Sequence, residues 1–300
     1  MKNIIIFGAS KFGERVFNHL KGKQDFNVIG FCDNDIKKHN TKLFDKNIYS
    51  PESLEKLDYD EIIIASSWEF EIEKQLLSMG IFKNKVNIFY SNTEELQFKD
   101  NKNIQIAEQL MFDIAELFNQ NDIVYHVDHG TLLGIIRDNK ILPWDIDIDF
   151  AVPALEIEKI KKLLSSYLPS YKNEYCEDNN WKIDIKIRDI VIGNEEKELP
   201  MILTIYNSIS TSNINNEVLG LDLAFKYEHN DTLYWMVSKR RLNSKKEICF
   251  PAKEYIFKNK IIKIPNDEVI YLEKLYGNWK KVIKNWHYSK YTNIDYYSNS

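Results

Sequence analysis

Residues 144–150, WDIDIDF, alternate carboxylates at Asp145, Asp147 and Asp149 with isoleucines. Read as a strand, the period of two sends Ile146, Ile148 and Phe150 to one face and all three aspartates to the other. The apolar face then builds core and the acidic face opens on a cleft. Carboxylates two apart on a strand lie about 7 Å from each other, so they repel wherever water is partly excluded. A divalent cation relieves that repulsion. Mg²⁺ (or Mn²⁺) suits the arrangement, because Mg²⁺ takes one or two carboxylates and fills its sphere with water and phosphate oxygens. Two other readings compete. Counted from Asp145, carboxylates fall at calcium-loop positions through Glu156, but Phe150 occupies the place of the required glycine and Pro153 interrupts the loop. An acidic edge strand kept soluble by its charges is the plainer alternative.

Upstream, HVDHGTLLGIIRDNK carries a Gly-Thr pair, Gly130 and Thr131, where a strand is expected to turn into a short helix. A glycine there allows close backbone approach, and the amides opening the helix can receive phosphate oxygens. Thr131 offers a hydroxyl to the same phosphate. Arg137 offers a fork-shaped cation, against the alternative of an ordinary surface salt bridge. Trp144 stands at the edge of the acidic strand as a further substrate contact.

The rest of the chain is organised in two parts. Residues 2–90 alternate short apolar runs (NIIIFG, NVIGFCDND, DEIIIAS, KVNIFY) with amphipathic segments (SKFGERVFNHLKG, EFEIEKQLLSMG), as parallel strands joined by crossover helices do. Polar residues 91–103 mark the boundary, giving a Rossmann-like parallel-sheet unit over 1–100 and a second domain over 101–300. That domain opens on a helix with Ala107, Leu110, Met111, Ile114, Leu117 and Phe118 on one face, then mixes strand-like runs with a late helix, an α+β order. The fold class is therefore α/β followed by α+β. A net charge of −5 excludes an extended nucleic-acid footprint. Three scattered cysteines fit neither a disulfide framework nor a CxxC metal site, which points to a reducing cytoplasm. The apolar run after Met1 is too short for a signal segment, and no later run approaches an integral membrane span. Oligomeric state is not legible.

HVDHGTLLGIIRDNKILPWDIDIDFAV resembles the signature of the LicD/fukutin phosphotransferase family, of the nucleotidyltransferase superfamily. GLDLAFKY and YLEKLYGNW resemble its later aspartate-bearing strand and C-terminal helix, so the likeness runs over about residues 104–280. The resemblance implies a nucleotidyltransferase-fold mixed-sheet domain. It also implies transfer of a phosphorylated group, phosphocholine or a polyol phosphate, from a CDP-linked donor to a glycan acceptor, as in polysaccharide biosynthesis. By position it makes Asp147 and Asp149 a metal pair, Gly130 and Thr131 a phosphate turn, and Asp222 the third carboxylate. Asp184, on another alternating run, competes with Asp222. Ile146 departs from the pattern, where the family usually has an acid, and leaves the role of Asp145 open. Nucleotidylyl transfer on the same platform, or an inactive nucleotide-sensing scaffold, are the alternatives.

Three further features are weighed. FGASKFG matches GxGxxG except for Ser10 in the middle place, and Asp33 follows at a strand end. Gly8, Ser10, Gly13 and Asp33 are thus candidates for a nucleotide site, the alternative being an interaction module. His126 and His129 form HxxH without the glutamate of a zinc peptidase, which favours packing or cleft lining. Trp144, Trp181 and Trp235 could contribute an aromatic box for a quaternary ammonium, or else pack in the core.

Overall fold

The computed structural model describes residues 1–66, 68–89, 101–145, 147–207, 220–237, 240–282 and 291–297. Two compact units divide the chain, Met1–Ser91 and Asn92–Ser300. Most of the polar stretch expected between the domains, together with Ile146 and parts of the C-terminal tail, lies outside the described residues.

The first unit runs β1 (Lys2–Phe7), α1 (Lys11–Leu20), β2 (Phe26–Cys32), β3 (Lys42–Leu43), β4 (Lys46–Tyr49), β5 (Glu61–Ile64), α2 (Glu69–Ser78) and β6 (Val86–Ile88). Its sheet has the order β3-β4-β2-β1-β5-β6. The pairs β1/β2, β1/β5, β2/β4 and β5/β6 are parallel, and β3 turns back antiparallel on β4. Strands covered on both faces need apolar residues at successive positions. That is why Ile4 and Ile6 pack with Val16, Phe17 and Phe31 on one side, and Ile5 and Phe7 with Ile62, Ile64 and Leu76 on the other. The short β3–β4 hairpin escaped the sequence reading, since two to four residues carry no periodic signal.

The second unit runs α3 (Asn101–Gln120), β7 (His126–Val127), α4 (His129–Asp138), β8 (Asp147–Pro153), α5 (Ile157–Tyr167), β9 (Trp181–Ile192), β10 (Glu195–Asn207), β11 (Gly220–His229), β12 (Thr232–Val237), β13 (Arg240–Lys245), α6 (Lys246–Cys249), β14 (Lys253–Phe257), β15 (Lys260–Ile264), α7 (Glu268–Tyr276) and β16 (Ile294–Tyr297). The large sheet follows β16-β13-β12-β11-β10-β9, with β8 added beside β11 and β7 beside β8. It is mixed: β8 and β11 run parallel, whereas β9, β10 and β11 alternate antiparallel. One face carries Ile148, Phe150, Val152, Leu203, Ile205, Leu221, Leu223 and Phe225, all fully buried, in one core with Leu110, Ile114 and Phe118 of α3. The opposite face carries the residues between them in sequence, and there the carboxylates stand.

Candidate functional site

Register, not sequence proximity, assembles the acidic face. Parallel pairing sets Asp149 of β8 beside Asp222 of β11 and Asp147 beside Gly220, which has no side chain to fill the space. Antiparallel pairing sets Thr204 of β10 beside Asp222, and Asp184 of β9 beside Thr204. One row thus reads Asp149, Asp222, Thr204, Asp184 across four strands. At about 4.8 Å per strand, Asp222 adjoins Asp149 while Asp184 stands roughly 14 Å away. The Thr204 hydroxyl donates to Asp222 Oδ1 at 2.6 Å, fixing that carboxylate. Asp184 is exposed.

The turn before α4 closes the face. Asp128 is buried and caps the helix by accepting the His129 amide at 2.8 Å. Its own amide donates to the Asp149 carbonyl at 2.8 Å, tying the helix start to β8. Gly130 lies under the Asp145 carboxylate, and a Cβ at that position would fall within the radius of Asp145 Oδ2. Its lack of a side chain therefore admits Asp145, which bonds in turn to Asp147. Thr131 is fully buried, and its hydroxyl accepts the Asp149 amide at 3.0 Å. The phosphate contact expected of Thr131 is corrected on that ground: it pins the helix to the strand and faces no open space.

Asp147, Asp149 and Asp222 have no arginine or lysine within ion-pair distance among the described residues. Burial first, then the neighbouring Asp145 and Asp222, push Asp147 well above the usual carboxylate range. Burial, Asp147 and Asp145 do the same to Asp149. Asp222 is also raised by burial, against the Thr204 hydrogen bond and the charge of Lys186. Such a set carries charge that the protein alone does not neutralise. Among the described residues no group of three or more His, Cys, Asp or Glu side chains is placed to hold a metal ion. Two strand carboxylates with open positions remain, as Mg²⁺ accepts.

Further along this face lies a buried polar cluster that sequence reasoning missed. Lys226, four residues after Asp222 on the same strand face, is fully buried and pairs with Asp128 Oδ2 at 3.2 Å. Its ammonium donates to the Tyr271 hydroxyl at 2.5 Å, and that hydroxyl donates to Asp128 Oδ1 at 2.6 Å. Burial alone would raise the Asp128 pKa, but His129 and Lys226 outweigh it and hold it well below the usual range. His126 Nε2 is 3.3 Å from Lys226 Nζ, and its Nδ1 is 2.9 Å from the Val127 carbonyl. Burial and the Lys226 charge push its pKa down to about 3, which keeps the ring neutral. His129 Nδ1 meets the Tyr291 hydroxyl at 2.8 Å. The available signal was the spacing Asp222, Ala224, Lys226 in GLDLAFKY, three residues that alternate with apolar ones and so share a face.

Several expectations are corrected. Arg137 sits at the far end of α4 and spends its guanidinium on Asp138, at 2.9 and 2.8 Å; it is not brought to the carboxylates. Trp235 is fully buried with the Lys226 ammonium 4.2 Å from its ring centre, so the cation it holds is internal. Trp181 is 5% exposed and donates to Asn179 at 3.0 Å. Neither can join an aromatic box, while Trp144, 43% exposed, remains accessible.

In the first unit, Gly8 has φ +120 and its missing side chain makes room for the Ala65 carbonyl; Gly13 does the same for the Gly8 carbonyl. Ser10 precedes α1 with extended backbone and makes no capping bond. Asp33 Oδ2 accepts the Ala9 amide at 2.8 Å and Lys38 Nζ at 3.0 Å, and Oδ1 accepts the Asp35 amide at 2.9 Å. Burial would raise its pKa, but these bonds to Asp35, Lys38 and Ala9 lower it overall. The carboxylate expected at a ribose is thus committed to the Ala9 and Asp35 amides and the Lys38 ammonium.

A mixed-sheet domain with carboxylates from two parallel strands over a helix N-terminus defines the class, and comparison with known proteins gives the family. Residues 122–267 match the family described as LicD/FKTN/FKRP, nucleotidyltransferase domain, and residues 1–87 match that described as C2185-like, N-terminal. The second unit therefore belongs to the LicD/FKTN/FKRP family. An uncharacterised protein of Rickettsia prowazekii is 25% identical over 58% of this chain and 54% of its own length. The human ribitol-5-phosphate transferase FKTN is 21% identical over 61% of this chain and 35% of its own length. The chain thus spans about half, or less, of the curated relatives it matches. The lincosamide antibiotic adenylyltransferase LnuA has a TM-score of 0.34 at 16% identity, over 55% of this chain and 84% of that one. At such a score the likeness does not bear on what this chain does. Among the described residues no helix is long and apolar enough to cross a membrane.

Proposed function

We propose that the second unit is a metal-dependent transferase that moves a substituted phosphate from a CDP-linked donor to a hydroxyl of a glycan, a step of polysaccharide biosynthesis in the cytoplasm. The observation that carries this reading is the group of half-buried carboxylates on one sheet face, Asp147, Asp149 and Asp222, with no ion-pair partner among the described residues. Their hard oxygen donors and raised pKa values fit a divalent cation, Mg²⁺ or Mn²⁺, held by Asp147 and Asp149 with Asp222 as third carboxylate. When bound, such an ion neutralises donor phosphate oxygens and stabilises the departing nucleotide. Asp145 and Gly130 set the position of Asp147, and Thr131 that of Asp149. The acceptor oxygen forms a bond to the distal phosphorus as the bond from that phosphorus to the CMP oxygen breaks. The hydroxyl proton passes to a carboxylate of the row, Asp222 being held in place for it by Thr204. Positioning and electrostatics supply most of the rate.

A polyol phosphate is the favoured head group. FKTN, a relative, is described as a ribitol-5-phosphate transferase, and with Trp181 and Trp235 committed to the core Trp144 alone cannot enclose a trimethylammonium. The first unit is read as Rossmann-like from its parallel order. With Asp33 bonded to Ala9 and Lys38, an interaction role fits it better than dinucleotide binding. The test is incubation of the full chain with Mg²⁺, an acceptor extract and CDP-ribitol, CDP-glycerol or CDP-choline. CMP release from a polyol donor supports the reading. Release of inorganic pyrophosphate from CTP would favour nucleotidylyl transfer, and silence towards every donor would favour a scaffold.

A further inference from the structure

His129 opens α4 at the end of the acidic row. Antiparallel pairing sets His126 beside Ala151 and Val127 beside Phe150, and the next residue, Asp128, donates its amide to the Asp149 carbonyl. The chain then turns into the helix through His129, whose φ of +42 is a conformation that non-glycine residues seldom adopt. Its side chain is only 10% exposed. Nδ1 meets the Tyr291 hydroxyl at 2.8 Å, and the Tyr276 hydroxyl donates to that of Tyr291. An oxygen that accepts from Tyr276 sends its own proton to the imidazole, so Nδ1 is the acceptor and the ring proton stands on Nε2. Burial, against the charge of Asp128, lowers the imidazole pKa, and the ring is neutral at neutral pH. Nε2 has no hydrogen bond among the described residues: Asp128 Oδ2, the carboxylate oxygen it approaches, is 3.8 Å away, beyond hydrogen-bond reach. A donor nine-tenths buried without an acceptor opposes folding until an acceptor arrives. Beside it the half-buried Gly130 amide is also unspent, because the Asp128 side chain caps the His129 amide alone, and first-turn amides have no partner within their helix.

We propose that His129 is a phosphate-binding residue: its Nε2–H, with the neighbouring Gly130 amide, donates to a non-bridging oxygen of the donor's diphosphate, and Tyr291 and Tyr276 hold the ring in the tautomer that can do so. This role rests on the transferase reading above and adds a neutral side-chain donor to it. A neutral N–H suits the place. Lys226 already balances Asp128, and a further flexible cation here would be drawn onto the carboxylates in place of phosphate. An imidazole locked from behind carries no charge to be drawn there, and its donor gains strength when it meets an anion in a site that excludes water. Tyr276 and Tyr291 lie beyond residues 122–267, which match the family, so the tautomer is set by chain outside that match.

The test is titration of CDP with Mg²⁺ into the full chain, read by calorimetry for affinity and by NMR of isotope-labelled histidine for the ring. The proteins are the wild type, His129→Phe, which keeps a ring and loses the donor, His129→Gln, whose amide reaches the place of Nε2, and Tyr291→Phe, with melting curves to show that each is folded. In the wild type the free ring should be protonated on Nε2, and that proton's signal should move downfield when CDP binds. CDP affinity should be at least about tenfold weaker in His129→Phe, as loss of one charge-assisted hydrogen bond brings, and largely restored in His129→Gln. Tyr291→Phe should show mixed tautomers and an affinity between the two. A wild-type ring protonated on Nδ1, an Nε2–H signal that CDP does not move, or unchanged affinity in His129→Phe overturns the role of His129 while leaving the transferase reading to the CMP-release assay. A wild type that binds no CDP overturns this role and the CDP-linked donor together.

Discussion

At the scale of single residues, the acidic face holds charges that oppose the fold until something neutralises them. The Asp147 pKa is raised by burial and by Asp145 and Asp222, and that of Asp149 by burial and by Asp147 and Asp145. A carboxyl raised in the folded state contributes stability below its unfolded pKa of about 3.9 and loses it as pH rises through the folded value. At neutral pH, Asp147→Asn and Asp149→Asn should therefore keep or raise the melting temperature of the metal-free protein, while each lowers turnover by at least about a hundredfold. A variant with both lower melting temperature and normal turnover would show these aspartates to be structural. The reverse holds for Lys226. Its removal as Lys226→Met leaves Asp128 buried and uncompensated, a loss of about 3–5 kcal/mol in urea unfolding, and the double variant with Asp128→Asn should recover much of it. His126, with its pKa pushed down to about 3, keeps a stabilising neutral ring above the unfolded value of about 6.5. That contribution is lost as pH falls from there towards 3, and an NMR titration should find the ring uncharged at pH 5.

At the scale of elements, the helix α4 and the strand β8 act as one unit because two hydrogen bonds join them, Asp128 amide to Asp149 carbonyl and Asp149 amide to Thr131 hydroxyl, and because Asp145, just before the strand, packs over Gly130. Thr131→Val keeps the shape and strands the Asp149 amide, so it should cost about 1–3 kcal/mol and lower kcat through the displaced carboxylate, with melting and CMP-release assays as the two readouts. This pairing of strand and helix was half legible in the sequence. WDIDIDF announced a two-faced strand because its period is local, and Gly130 announced a close approach. What approaches Gly130 was not readable, since Asp145 arrives fifteen positions later through a turn. The choice between Asp222 and Asp184 was undecidable for the same reason: both alternate correctly within their own strands, and only the register of β8 with β11 sets one of them beside Asp149.

At the scale of the whole molecule, two units each bury their own core. The alternation of apolar runs and amphipathic segments showed the parallel sheet of the first unit, and the signature around the aspartates showed the family of the second. The failures share one cause. Arg137, Thr131, Asp33, Trp181 and Trp235 were read by what their side chains can do, whereas their partners, Asp138, the Asp149 amide, the Ala9 amide, Asn179 and Lys226, already occupy them. For the first unit, both glycines serve backbone packing and Asp33 ties its own turn to the Ala9 amide, so a nucleotide panel should leave the melting of the full chain's first unit unshifted. A shift of several degrees, lost in Asp33→Ala, would restore a nucleotide site there. The central claim concerns the carboxylates, and the most direct measurement is Mg²⁺-dependent CMP release from CDP-ribitol or CDP-glycerol by the wild type and by Asp149→Asn. The account predicts release that is abolished by chelation, restored by Mg²⁺ or Mn²⁺, and reduced at least about a hundredfold in the variant. Release that survives chelation, or that is undiminished in Asp149→Asn, would contradict it.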